Sequence, residues 1–248
     1  MPWLFADYFG GNVGNVLSIG CGDGLHELGM ARNGWAKSID AFDISSQGIA
    51  KAKEAAATEN LSINFYCDNF ENFLKVEPGK KYDAVMFLGS LHHVKDIDAM
   101  LGRAREVLTP NGALVLNEYI GPCFNIYDEA RISIINGMLD SLDNEFKVKP
   151  NARWSNPSFE HVMATDPSEA VRSALIPQFV RLFFKPEIER FFGGAILHPI
   201  FDHLNSIRLN DGSAESASIV RLIIEFENML TAKGVVGHDF VIGVYRPI

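Results

Sequence analysis

The sequence of 248 residues contains few cysteines, no long hydrophobic segment and no cluster of positive charge. Its three cysteines, Cys21, Cys67 and Cys123, have neither a disulfide nor a metal-site spacing, so we expect a reducing, cytoplasmic environment. No run approaches the roughly 20 apolar residues of a membrane span, and the first residues lack the pattern of a secretory signal. The 31 acidic residues exceed the 22 basic residues, and the net charge of −9 disfavours nucleic acid as a partner.

Several catalytic motifs are also missing. The sequence has no G-x-S-x-G turn and no phosphate-binding P-loop, which excludes the hydrolases and nucleoside triphosphatases that depend on them. No histidines have the close spacing of metal ligands, so we expect a protein without a bound metal.

Short apolar runs alternate with helical segments in the first half of the chain. The strand-like runs occupy residues 16–19, 38–44, 63–68, 82–90 and 113–119. Good helix formers fill 49–58, an apolar face runs along 97–108, and the TPNG segment at 109–112 predicts a turn. This alternation predicts a doubly wound α/β fold, in which helices cover both faces of a mostly parallel sheet.

The second half has a different pattern. It predicts a long amphipathic helix over 126–142, an irregular stretch over 144–165, a helix that begins at Asp166, and another over 219–230. Two further strands are predicted at 184–193, where Pro186 favours a sheet edge, and at 239–247, which gives seven strands. We therefore expect one domain over residues 1–248: a core at 14–120, a helical insertion or lid at about 121–183, and C-terminal strands and helices at 184–248.

The loop after the first strand carries three glycines, Gly20, Gly22 and Gly24, in front of a predicted helix. Glycine permits a positive φ and the close approach of a ligand to the backbone. Asp43 lies 19 residues after Gly24, at the end of the next strand, where an acid can bind the hydroxyl groups of a ribose. The loop therefore indicates a nucleotide-like cofactor, although a purely structural turn and a dinucleotide site both remain open.

Taken together, the segments VLSIGCGDG, AFDIS, CDNF, YDAVMFLGSLHHV and VLTPNGALVLNEY resemble the class I S-adenosylmethionine-dependent methyltransferases over about residues 14–120. The resemblance implies a Rossmann-like fold and S-adenosyl-L-methionine as cofactor. It also implies a set of cofactor-binding residues: Gly20, Cys21, Gly22 and Gly24 beneath the methionine part, Asp43 at the ribose, Ile44, Asp68, Asn69 and Phe70 around the adenine, and Leu88 and Gly89 near the sulfonium.

One position departs from that family pattern. Ser18 stands where the family usually has an acid that organises contacts to the amino group of the cofactor. Either Asp23 or a water molecule compensates for it in this interpretation.

A narrower resemblance concerns the acceptor. The segments NEYIGP, DPSEAVRS and GGAILH are similar to bacterial methyltransferases associated with surface glycan assembly. This implies a small polar acceptor such as a sugar or another metabolite that carries a hydroxyl group.

Removal of a proton from such a hydroxyl requires a base. His93 and Glu118 follow the fourth and fifth strands, at the edge where open α/β sheets bind ligands, and are the candidate catalytic residues. A capping or packing role explains the same placement. The candidate acceptor-binding residues are His92, Tyr119, Asn125, Tyr127 and Arg131.

Two rival interpretations belong to other functional classes. A noncatalytic module that binds S-adenosylmethionine is compatible with the altered Ser18. An NAD-dependent oxidoreductase would need a third glycine where Leu25, His26 and Glu27 stand. The chain is expected to act as a monomer or homodimer on a small molecule.

Overall fold

A computed structural model describes residues 4–75 and 79–248 of the chain. Its seven strands form one mixed sheet in the order β3-β2-β1-β4-β5-β7-β6. The strands are β1 (Asn15–Ile19), β2 (Ser38–Asp43), β3 (Asn64–Cys67), β4 (Tyr82–Leu88), β5 (Leu108–Tyr119), β6 (Phe184–Phe192) and β7 (Phe240–Pro247). The first five pair in parallel, as their apolar runs predicted. The strand that contains Pro186 is the last in the order, which confirms its edge position.

Helices connect and follow these strands. They are α1 (Leu25–Arg32), α2 (Ser46–Thr58), α3 (Phe70–Lys75), α4 (Ile97–Val107), α5 (Glu129–Ser141), α6 (Phe159–Thr165), α7 (Ile176–Phe183), α8 (Leu197–Phe201), α9 (Ser206–Leu209) and α10 (Ala214–Ala232). A single π-helical turn occupies Leu4–Tyr8. Within the described ranges, no helix combines the length and the apolar character needed to traverse a bilayer.

The chain divides into two compact units. Unit 1 comprises the described residues up to Tyr119 together with Val171–Arg190 and Val241–Ile248, and unit 2 comprises Ile120–Ala170 and Phe191–Phe240. Unit 1 therefore contains the parallel strands β1 to β5 and the glycine loop.

The core of unit 1 lies on both faces of the central strands. Ala84 to Phe87 of β4 are completely buried, which explains why this strand reads as a continuous apolar run. On α2, the buried residues Ile49, Ala52 and Ala56 share one face, and the Oγ of Ser45 caps this helix by accepting the N–H of Gly48 at 3.1 Å. Each large apolar side chain buried in this way contributes about 1.5–3 kcal/mol.

Unit 2 has its own apolar core, formed by Tyr127, Ile135, Leu139, Ile196, Ile200 and Ile223. A buried carboxylate organises the turn that precedes α8, because Glu227 accepts the backbone N–H groups of Gly194, Ile196 and Leu197 at 2.6–2.8 Å. The carboxylate thereby satisfies donors that would otherwise be buried without partners.

Two predictions about element boundaries are wrong. The TPNG turn belongs to β5, which begins at Leu108, but the pairing with β4 passes from Leu108 to Ala113, so residues 109–112 bulge out of the ladder. The helix expected from Asp166 begins at Ile176. The Oδ1 of Asp166 instead closes a tight turn by accepting hydrogen bonds from the N–H and the Oγ–H of Ser168, and Ala170 then adopts a positive φ of 50°.

The structure also differs from the prediction in the bounds of the elements between 126 and 165. The amphipathic segment forms α5 over Glu129–Ser141, because Asp128 caps it by accepting the N–H of Arg131 at 2.8 Å. The stretch that was expected to be irregular contains the short helix α6.

Candidate functional site

The glycine loop connects β1 to α1 and has left-handed backbone at all three glycines, with φ of 74° at Gly20, 57° at Gly22 and 76° at Gly24. An added Cβ at Gly20 would lie 2.4 Å from the Cβ of Ser90, and one at Gly24 would lie 2.7 Å from the ring of Phe65. These two glycines are therefore required by packing within the protein.

Gly22 differs from the other two glycines. A Cβ at this position would meet no described atom within 4 Å. The backbone of the loop is therefore open on this side, and a ligand can approach it closely, as the cofactor interpretation requires.

Asp43, at the end of β2, connects this loop to the neighbouring strand. Its Oδ2 accepts the N–H of Gly22 at 2.8 Å, and its Oδ1 accepts the N–H of Ser45 at 2.8 Å. A carboxylate offers about four acceptor positions, so Asp43 can also accept ribose hydroxyl groups. The next residue, Ile44, is 76% exposed, which leaves an apolar surface directly beside the acid.

The predicted adenine-side residues follow β3 at the same edge of the sheet. The backbone N–H of Asp68 donates to the carbonyl of Asp43 at 3.0 Å. The Oδ1 of Asp68 accepts the N–H of Asn69 and the side-chain amide of Asn72, both at 2.8 Å. Phe70 begins α3, and its ring lies 3.7 Å from the position of a Cβ on Gly20. The structure thus brings Asp68, Asn69 and Phe70 to the strand end beside Asp43.

Cys21 is part of the loop but is not a nucleophile. Burial, reinforced by the nearby carboxylates of Glu27 and Asp43, raises the pKa of the Cys21 thiol well above its ordinary value. The thiol therefore stays protonated at neutral pH and is a poor nucleophile.

The turn after β4 places Leu88 and Gly89 at the same edge, because parallel strands end on the same side of the sheet. Gly89 has φ 79°, and its N–H donates to the carbonyl of Asn117 on β5 at 2.8 Å. Ser90 then donates its Oγ–H to the carbonyl of Ile19 at 2.5 Å, which connects this turn to the start of the glycine loop.

Glu118 on β5 holds the same turn in place by hydrogen bonds. It is completely buried and accepts the N–H groups of Ser90 and Leu91, each at 2.7 Å. Its second oxygen lies 2.8 Å from the Nδ1 of His92. The structure therefore brings Glu118 to His92, whereas the sequence interpretation combined Glu118 with His93, whose ring centre lies 4.3 Å from that of His92.

The remaining candidates for acceptor binding divide between the units. Tyr119 ends β5 in unit 1 and is buried. In unit 2, Arg131 donates its Nε–H to the carbonyl of Ala195 at 2.7 Å and forms a buried ion pair with Asp239. The guanidinium of Arg131 also lies 4.0 Å from the centre of the ring of Tyr127. These contacts give Arg131 a structural role inside unit 2.

Asn125 and Tyr127 also make contacts inside unit 2. The side-chain amide of Asn125 donates to Glu169 at 3.3 Å. The backbone N–H and carbonyl of Tyr127 both bond to the side chain of Asn156, at 2.9 and 2.8 Å. The Asn125 side chain and the Tyr127 backbone therefore help to hold the loop in front of α5.

Sequence reasoning missed one carboxylate at the loop. Ser18 donates its Oγ–H to the Oε1 of Glu27 on α1 at 2.5 Å, and Glu27 is only 1% exposed. The available signal was that a Glu in the first turn of α1 stands among residues that face the core. Asp23, the residue proposed to compensate for Ser18, is exposed.

Comparisons with known proteins agree with this geometry. Residues 16–112 match a family model described as a methyltransferase domain. The chain is 34% identical over 102 residues to a ubiquinone biosynthesis O-methyltransferase of Bradyrhizobium sp. (strain ORS 278), a match that covers 41% of this chain and 38% of that relative. The chain therefore matches only about two fifths of the curated relative's length.

Two solved structures share the fold over most of the chain. The PH0226 protein of Pyrococcus horikoshii OT3 has a TM-score of 0.55 at 16% identity, covering 99% of this chain and 86% of that protein. The [4+2]-cyclase SpnF has a TM-score of 0.53 at 15% identity, covering 94% and 74%. At these identities the likeness concerns the fold alone.

Proposed function

We propose that this chain, whose residues 16–112 match a family model described as a methyltransferase domain, is a class I S-adenosylmethionine-dependent methyltransferase that transfers a methyl group to a hydroxyl group of a small polar molecule. The observation that supports this most directly is the bond between Asp43 and the N–H of Gly22 at the open side of the loop. It combines an acid for the ribose with a backbone surface for the methionine part of the cofactor.

In this proposal the chain holds the cofactor along the edge formed by the ends of β1 to β4. The loop at 20–24 contacts the methionine part, Asp43 accepts the ribose hydroxyl groups, and Ile44 packs on the adenine. Asp68 to Phe70 bind the far side of the adenine, and Leu88 and Gly89 lie near the sulfur. S-adenosylmethionine supplies an electrophilic methyl group on a sulfonium, and the acceptor must be aligned with it.

We infer that the residue that removes the acceptor's proton is His92, with His93 as the alternative. When the Nδ1 of His92 donates to Glu118, the ring tautomer has its lone pair on Nε2, which can accept a proton. Glu118 is buried and accepts three hydrogen bonds, so it acts as the positioning residue that fixes this ring.

The choice of an oxygen acceptor has two supports. The first is the histidine held by Glu118, since a hydroxyl group must lose a proton during methyl transfer, whereas many amines need no base. The second is the description of the curated relative as an O-methyltransferase. A sugar remains the first class of acceptor to test.

Ligand-dependent unfolding tests the cofactor. S-adenosylmethionine and S-adenosylhomocysteine, each at 100 times its Kd, should stabilise the protein by about 2.7 kcal/mol, and NAD should not. Asp43→Ala should abolish this stabilisation. Stabilisation by NAD alone would contradict the proposal and favour the oxidoreductase interpretation.

A methyl-transfer screen then tests the reaction. Protein, S-adenosylmethionine with a labelled methyl group and a panel of sugars and other hydroxyl compounds should yield labelled product and S-adenosylhomocysteine. His92→Gln should lower kcat more than His93→Gln if His92 is the base. Cofactor binding without turnover on any member of the panel would favour the noncatalytic module, for which the altered Ser18 is the argument.

A further inference from the structure

Ser18 lies on β1 at the position where the resembling methyltransferases usually have an acid. A carboxylate from the neighbouring helix α1 lies beside it. Ser18 is two residues before Gly20, and its Oγ–H donates to the Oε1 of Glu27 at 2.5 Å. Glu27 belongs to the first turn of α1, directly after the glycine loop. A serine and a glutamate thus occupy together the space beneath the loop.

Only one of the two carboxylate oxygens of Glu27 has a hydrogen-bond partner among the described residues. Glu27 is 1% exposed, and its Oε2 has no hydrogen-bond partner in the described ranges 4–75 and 79–248. Burial raises the pKa of Glu27, and the hydrogen bond from Ser18 only partly opposes this. A buried carboxylate oxygen without a donor is costly, and a bound cationic group is one of the few arrangements that would offset this cost.

The electrostatic surroundings indicate the charge of that ligand. Asp23 and Asp43 both lie close enough to raise the pKa of Glu27, so the surroundings of this carboxylate contain two further acids. Gly22, between these acids, has open space above its backbone. A positively charged group with hydrogen-bond donors would therefore be favoured at the loop.

We propose that Glu27 binds the α-ammonium group of the methionine part of S-adenosylmethionine, in place of the acid that Ser18 replaces. This inference rests on the proposed function, because it takes the loop as the place of the methionine part. Glu27 is then the residue that selects cofactors carrying an amino-acid group.

Binding of three ligands to the full chain tests this role by titration calorimetry. S-adenosylmethionine and S-adenosylhomocysteine both carry the ammonium group, whereas 5′-methylthioadenosine has the nucleoside and the sulfur without it. Glu27→Gln should weaken the first two by roughly tenfold to a hundredfold and change the Kd of methylthioadenosine by less than about twofold.

Further variants sharpen the result. Glu54→Gln is the matched control, since it makes the same exchange at an exposed glutamate on α2, outside the loop, and it should leave all three affinities within about twofold. Asp23→Asn removes the exposed acid of the loop and should weaken binding less than Glu27→Gln does. The double variant Ser18→Asp/Glu27→Gln returns an acid to the strand and should recover most of the lost affinity for S-adenosylmethionine.

The outcomes separate the two proposals. A wild-type protein that binds neither sulfur nucleotide overturns the proposed function and this inference together. Wild-type binding with an unchanged Glu27→Gln variant overturns the inference alone. An equal loss for methylthioadenosine assigns Glu27 to the shape of the loop, and a selective loss in Asp23→Asn assigns the role to Asp23; either result also refutes it.

Discussion

Replacement of Glu118 offers a direct test of how the turn after β4 is held. The carboxylate is completely buried and accepts hydrogen bonds from two backbone N–H groups and from His92. Glu118→Ala removes both acceptor oxygens and therefore all three hydrogen bonds at once. Each buried donor left without a partner costs about 1–3 kcal/mol.

We therefore expect Glu118→Ala to lower the free energy of unfolding by about 3–6 kcal/mol, because water that enters the vacated space can satisfy some of these donors. Since a domain is stable by only about 5–15 kcal/mol, this loss is readily measured by urea unfolding.

Glu118→Gln is the informative companion. Its amide oxygen can still accept the N–H groups of Ser90 and Leu91, so the expected loss of stability is only about 1–2 kcal/mol. Its NH₂ group then faces the Nδ1 of His92, which favours the tautomer that has the proton on Nε2. With an acceptor from the screen, kcat should fall by roughly 10²–10⁴-fold.

Two results would refute this reasoning. Equal destabilisation by the Gln and Ala variants would mean that the backbone bonds to Glu118 contribute little. A wild-type kcat in the Gln variant would mean that the tautomer of His92 is irrelevant to the reaction.

Three further predictions follow from contacts elsewhere. Gly20→Ala should lower the thermal midpoint by several degrees more than Gly22→Ala, because both incur the strain of a positive φ but only the first creates a clash of 2.4 Å; equal shifts would contradict this. Arg131→Met should destabilise the protein by about 3–5 kcal/mol in urea unfolding, since it leaves the buried Asp239 without its ion-pair partner; a loss below about 1 kcal/mol would count against a structural role for Arg131. Burial raises the folded-state pKa of Glu27 above its ordinary value of 4.5. The stability that this group contributes is therefore complete below pH 4.5 and is lost as the pH rises through the raised pKa. The free energy of unfolding, measured against pH, should show this fall in the wild-type protein and not in Glu27→Gln.

Much of unit 1 was predictable because its signals are local. Buried parallel strands such as β4 read as apolar runs, and the order of strands and helices then indicates which strand ends share an edge. The proximity of the glycines and Asp43 could be predicted because their spacing reflects that edge, and the Asp43–Gly22 bond shows that they lie side by side.

The errors arose where a local signal fits two structures. Asp166 followed by Pro167 suits the beginning of a helix, yet the same aspartate closes a turn onto Ser168, and the positive φ of Ala170 interrupts the helix. The choice between His92 and His93 depends on which ring faces Glu118, a residue 26 positions away from His92. Glu27 was overlooked because the space beneath the loop is filled from a helix and not from the strand.

Ser90 has a consequence for the redesign of this protein. Its hydroxyl bonds to the carbonyl of Ile19, its N–H to Glu118, and its Cβ occupies the space that the missing side chain of Gly20 leaves open. This one small residue thus connects the glycine loop with the turn after β4 through three contacts. A library that aims to change the accepted substrate should keep residue 90 fixed, because a larger side chain there disturbs both parts and its rescue requires coordinated changes on two strands.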